Sequence, residues 1–140
     1  MVSNLNPNHC LITGGPRGIG RSTALLAARS GYDISIVGIT KASVHAKSLA
    51  DEIVALGRRA VILQGDMSNE DDISLVFDQA VKSLGPLSGV VNADGVGYSS
   101  RADEIAYSVV WLLSKQASLI TGAHLNAGGG SFNVAGFHGN

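Results

Sequence analysis

The chain has 140 residues, 45% hydrophobic and 15% charged, with 18 glycines and a formal net charge of −1. That length predicts one domain burying roughly 68–70% of the surface its unfolded form exposes, and the near-neutral charge leaves no footprint for nucleic acid or an anionic membrane, Arg58-Arg59 being too short for a basic patch. One cysteine, Cys10, rules out an internal disulfide and points to a reducing compartment; residues 1–8 lack both positive charge and an apolar run, and no stretch is long enough to span a membrane, so a cytoplasmic protein is expected.

Strand and helix patterns alternate along the chain, as they do in an α/β domain with many tight turns. A first strand over 9–13 runs into Thr13-Gly14-Gly15-Pro16-Arg17-Gly18-Ile19-Gly20, which opens a helix over 18–30 with Ile19, Thr23, Leu26 and Ala27 on one face and Gly31 at its end. This is how a dinucleotide-binding turn reads: the glycines allow a sharp turn and a close approach to a pyrophosphate, and free amides at the helix start point at the anion. A second strand spans 33–37, a helix 42–56, and a third strand 60–64. After Gly65-Asp66-Met67, Ser68 is the expected cap of a helix to Leu84, with Glu70, Asp71 and Asp72 in its first turn. Gly85-Pro86 breaks that helix, and residues 87–92 form a fourth strand entering the turn Asn92-Ala93-Asp94-Gly95. Ser99 or Ser100 caps a helix over 102–115 whose Ile105, Val109, Leu112 and Leu113 make an apolar stripe, and the last strand is expected at 123–127. Residues 1–130 thus read as a single Rossmann-like dinucleotide-binding domain, and 131–140 as a glycine-containing tail.

Four blocks, Thr13-Gly14-x-x-x-Gly18-x-Gly20, Gly65-Asp66-Met67, Asn92-Ala93-Asp94-Gly95 and Ile120-Thr121-Gly122…Leu125…Gly128-Gly129, resemble in order and local spacing the short-chain dehydrogenase/reductase family. The resemblance implies a three-layer, doubly wound parallel sheet. Between the Asn-Ala-Gly turn and the Ile-Thr-Gly block the family has two more strands with their helices, where residues 95–120 hold one helix. A sheet of about five strands in the order 3-2-1-4-5 is therefore expected, the last strand lying beside the fourth. Right-handed crossovers would then put the 102–115 helix on the face of the 68–84 helix, opposite to its place in the family. If its stripe cannot repack there, two chains exchange that helix and strand or cover the bare face, so a homodimer is expected.

The resemblance also implies residue roles. Gly14, Gly18 and Gly20 would form the pyrophosphate turn, with the Ile19 amide as a donor and Thr13 bracing the strand end. Asp66 would accept from the adenine amino group beside Met67, and Asn92, with Ala93 and Gly95, would hold the fourth strand's end against the cofactor. Asp94 stands where the family usually has alanine and puts a charge near the ribose. No acid follows Val37, where an NAD binder would hold its ribose hydroxyls, whereas Arg17 is placed like the basic residue of NADP-preferring members, and Thr40 or Lys41 could add a contact. NADP is therefore expected over NAD, although Arg17 and Lys41 also read as ordinary solvated charges.

The family's reacting groups are not found. Tyr32, Tyr98 and Tyr107 have Ile36, Ala102 and Trp111 four residues on, so there is no Tyr-x-x-x-Lys and no catalytic residue can be named. Tyr98 with Ser99 and Ser100 has no lysine beside it to lower a phenol pKa of about 10; Tyr107 and Trp111 suit packing or a subunit interface. His9, His45, His124 and His138 lack ligand spacing, so no metal is expected. Three functions remain: an NADP(H)-binding module with little or no hydride transfer and an affinity of roughly 10 µM to 1 mM, an active oxidoreductase completed by oligomerisation, or a structural module without a ligand.

Overall fold

The computed structural model of the protein describes residues 8–94, 102–123 and 125. Strand β1, His9–Thr13, is buried at every position, as a continuous apolar run must be in a parallel sheet covered on both faces. It feeds helix α1, Gly18–Arg29, and β2, Asp33–Gly38, returns parallel to β1 with Cys10 opposite Ile34 and Ile12 opposite Ile36. Helix α2, Val44–Ala55, leads to β3, Ala60–Gln64, outside β2. Helix α3, Glu70–Leu84, carries the chain back to β4, Gly89–Asn92, on the other side of β1. The described sheet is parallel, in the order β3-β2-β1-β4, and Rossmann-like. Helix α4, Ala102–Leu113, and a 3₁₀ turn at Lys115–Ala117 follow. Of the strand expected at 123–127, Ala123 and Leu125 take no part in a strand and the rest lies outside the described residues, as do the Ser99/Ser100 cap and the 131–140 tail.

Alternation along β1 divides the core in two. Cys10 and Ile12 pack with Ala24 and Ala27 of α1, Leu49 and Ile53 of α2, and Val109, Val110 and Leu113 of α4. Leu11 packs on the other face with Val37, Leu63, and Val76 and Ala80 of α3. The layers are therefore α1, α2 and α4 over one face and α3 over the other.

This corrects the expectation that α4 shares the face of α3. The crossover rule binds a helix only when it joins two parallel strands of one sheet, and no described strand follows α4. What holds α4 is burial against the small side chains of α1. Leu113 Cδ2 lies 2.7 Å from where a Cβ on Gly89 would stand, the Tyr32 hydroxyl donates to the Leu113 carbonyl at 3.2 Å, and the Ser22 hydroxyl donates to Asp103 at 2.8 Å. The consequence lies at β4: β1 is its partner on one side, no described strand flanks the other, and Val90 is 48% exposed. The cap of α3 also differs by one position. Asn69 Oδ1 accepts from the amides of Asp71 and Asp72, while Ser68 is drawn into the preceding turn by Asp66.

The opposite end of the sheet is tied by polar groups. Asp33, nearly buried, accepts from the Arg59 amide at 3.0 Å and pairs with both Arg58 and Arg59. His9, fully buried, donates from Nδ1 to the Gly85 carbonyl at 2.8 Å and has Nε2 2.8 Å from the Ser35 hydroxyl, joining β1, β2 and the end of α3.

Candidate functional site

The strands' C-terminal ends meet above the point where the strand order reverses, between β1 and β4, which is where doubly wound sheets form a crevice. The glycine turn fills one side of it. Gly14 has φ +61°, and a Cβ there would stand 2.7 Å from the Ala93 carbonyl oxygen and 2.9 Å from the Asp94 nitrogen. On Gly20 a Cβ would fall onto the Gly14 carbonyl. Backbone therefore lies against backbone at both positions. Gly18 has free space but φ +54°, so it is glycine for conformation alone. Gly15, absent from the expected set, is packed as well, with Ile36 Cγ2 3.0 Å from its missing Cβ; the double glycine in the sequence was its signal.

The start of α1 differs from the starts of α2 and α3. Ser43 caps α2, and Asn69 caps α3 ahead of three acids in its first turn. At α1 the N-cap is Arg17, extended at φ −139°, with no side-chain hydrogen bond to the helix and no acid in the first turn. The first amides of α1, Ile19 among them, have neither an intrahelical partner nor a cap, and the helix dipole adds partial positive charge. A helix start of this kind leaves its first amides available to an anion.

On the β4 side, the Thr13 hydroxyl donates to Asn92 Oδ1 at 2.6 Å, the Asp94 amide donates to the same oxygen at 3.3 Å, and the Ala93 amide donates to the Thr13 carbonyl at 3.2 Å. Asn92 thus locks the end of β4 to the end of β1, where Gly14 needs the neighbouring backbone close. Gly95 lies outside the described residues, as do Tyr98, Ser99 and Ser100.

On the β2 and β3 side, the Gly65 amide donates to the Gly38 carbonyl at 3.1 Å, and the Pro16 ring sits against Gly38. Asp66 is exposed, and its Oδ1 accepts from the Ser68 hydroxyl at 2.6 Å and amide at 2.9 Å, bonds that hold its carboxyl below the usual range. Met67 is half-buried against the Leu11 cluster. Arg17, Thr40 and Lys41 are exposed. The geometry brings Gly14, Gly18, Ile19, Gly20, Asn92 and Ala93 to one crevice and sets Asp66 and Met67 two strands away.

Elsewhere, Cys10 is buried and its thiol is pushed up to about 12 by desolvation, so it is inert packing. Among the described residues no three His, Cys, Asp or Glu side chains are grouped to hold a metal, and no helix is long and apolar enough to cross a membrane. Tyr107 is largely exposed on α4 and Trp111 partly so.

The profile of the family described as short chain dehydrogenase matches residues 8–112. A hydroxynaphthalene reductase-like protein Arp2 of Metarhizium guizhouense is 31% identical over 117 residues, 81% of this chain and 43% of that protein. A mouse 3-oxoacyl-[acyl-carrier-protein] reductase is 37% identical over 91 residues, 65% of this chain and 36% of the reductase. A solved short-chain dehydrogenase/reductase from Sinorhizobium meliloti superposes with a TM-score of 0.62 at 31% identity, over 69% of this chain and 43% of its own. The chain therefore spans less than half the length of the relatives it matches.

Proposed function

This chain belongs to the short-chain dehydrogenase family, and on that footing we propose that it is a dinucleotide-binding module of an oxidoreductase, holding NADP(H) by its diphosphate on the amides that open α1. The observation that carries this is the uncapped, acid-free start of α1 behind a turn in which Gly14 and Gly20 have no room for a side chain. Those residues fit a diphosphate: the amides are free, the backbone is closely packed, and no carboxylate stands in the first turn.

The nucleotide, when bound, supplies the hydride in this family. The chain's own residues do the rest. Gly14, Gly18, Ile19 and Gly20 hold the diphosphate, Asn92 and Ala93 keep the β4 end in register, and Asp66, whose Oδ1 is fixed by Ser68, offers Oδ2 to the adenine amino group beside Met67. Arg17 and Lys41 favour a 2′-phosphate, and no acid at the end of β2 opposes it. Gly95 belongs to the same proposed set by its place in the motif. No tyrosine in the chain has a lysine four residues on, so we assign no proton donor and expect little or no turnover. Residues 1–130 act as the single domain in this reading, and the lone buried thiol supports a reducing, cytoplasmic setting.

Fluorescence titration tests it. NADPH is expected to bind at roughly 10 µM to 1 mM, more tightly than NADH, with no ketone reduced on further addition; absence of saturable binding by either nucleotide overturns the proposal. A second reading, an enzyme whose pocket is completed in a homodimer, is favoured by the side of β4 that no described strand flanks and by the exposed Val90, and turnover in the same assay would select it.

A further inference from the structure

We propose that the outer flank of β4 is the docking edge for β4 of a second copy of this chain, the two strands running antiparallel about a two-fold axis at Val90. One sheet then continues through both chains in the order β3-β2-β1-β4-β4-β1-β2-β3. This rests on the homodimer of the second reading above and gives it an interface and a register.

The backbone selects that register. The Ser88 amide donates to the His9 carbonyl at 2.8 Å, and along a parallel ladder the direction of the N–H and C=O groups alternates. Ser88 and Val90 therefore turn theirs to β1, while Gly89 and Val91 turn theirs outward, where no described strand meets them. Val90, opposite Leu11, puts its side chain on the α3 face and is 48% exposed; Val91, opposite Ile12, packs in the core beneath α4. A partner strand must oppose outward groups to outward groups and α3 face to α3 face. Setting the two Val90 residues against each other does both. Gly89 of each chain then exchanges hydrogen bonds with the partner's Val91, and the Val90 side chains touch on the axis as the closer, non-hydrogen-bonded kind of pair, Cα atoms about 4.5 Å apart. Moving the axis to Val91 would oppose Val90 to the partner's Asn92 and forfeit the Gly89 bonds.

Helix α4 extends the same contact. Asp103 meets Ser22 of α1, and Ile105 and Leu112 lie about 180–200° round the helix from Asp103, on the side turned away from α1 and toward the outer flank of β4. Leu112 is 41% exposed there. Under the two-fold axis the two α4 helices run antiparallel, so the acidic first turn of each, Asp103 and Glu104, comes toward the partner's Lys115, and the seam between them is apolar. The other outer strand, β3, is less suited: Arg58 and Arg59 precede it, Val61 and Ile62 are half-buried, and Leu63 is buried.

The test is disulfide trapping with Val90→Cys and oxidised glutathione. Cα atoms at that separation are within disulfide reach, so most Val90→Cys chains should run as covalent dimers on a non-reducing gel. Val54→Cys, 60% exposed on α2, should stay mainly uncrosslinked, and the buried Cys10 adds no link. Hydrogen exchange of the native chain, read by NMR, needs no variant: the Gly89 and Val91 amides should exchange about tenfold or more slowly in the associated protein than after dilution. Two chains in light scattering without the Val90 cross-link overturn this interface and leave the homodimer standing. Protection of both amides at every concentration assigns the flank to the chain's own residues beyond Leu125 and overturns the proposal, as does fast exchange throughout. A native chain that stays single brings down both. Should Val90→Cys fail to fold, the exchange measurement decides alone.

Discussion

Gly20 and Gly18 are glycine for different reasons, and asparagine separates them. Asparagine enters the left-handed region at modest cost, so Gly18→Asn, in free space, should lose no more than about 1 kcal/mol in urea unfolding. Gly20→Asn must push against the Gly14 backbone, and should lose about 1–3 kcal/mol or more together with at least tenfold in NADPH affinity. Asp33 offers a pH test at the far end of the sheet. Burial pushes its carboxyl up, but the hydrogen bonds from Arg59 and the charges of Arg59 and Arg58 outweigh burial and hold it below the ordinary range. The native state therefore binds fewer protons than the unfolded chain near that range. The stabilisation is present above about pH 4 and drains away as pH falls through the depressed value. Asp33→Asn should lower stability at pH 7 by about 1–3 kcal/mol and flatten the acid side of a melting-temperature profile; an unchanged acid slope would refute this account. In the sequence the glycine spacing made the turn legible, because only conformation and close approach demand glycine there. His9 and Asp33 carry no such spacing, and their roles arise from partners 26 to 79 residues away.

Helix starts show where local pattern is sufficient and where it fails. Ser68 and Asn69 are both good caps, and sequence favoured the first; the structure uses the second because Asp66 captures Ser68. Asn69→Ala should therefore cost about 1 kcal/mol in thermal unfolding, and Ser68→Ala distinctly less. The boundaries of β1 and β3 were legible from apolar runs between turn residues. The face taken by α4 was not, since a helix with one apolar stripe can be buried on either face of the sheet, and the small residues of α1 made the choice; of the expected stripe, Val109 and Leu113 pack on the core together with Val110, while Leu112 is exposed.

At the scale of the molecule, the alternation of elements made a parallel α/β sheet legible and the family resemblance implied the order 3-2-1-4, but the surroundings of β4 depend on contacts that no local pattern encodes. The proposed homodimer is tested there: light scattering should find two chains at micromolar concentration, and Val90→Lys, half-exposed on the α3 face of a strand whose outer side no described strand flanks, should shift the population toward one. A native chain that stays monomeric would end that proposal. The bare mouth of α1 carries a consequence of its own. Wherever a helix lacks a built-in lid, ligand and side chain become rivals for one set of N–H groups. Arg17, already extended as a lid residue must be, is the position at which to stage that contest. Replacing it with aspartate should make the empty protein sturdier by about 1 kcal/mol while evicting the nucleotide, so that durability and occupancy move in opposite directions on a single substitution.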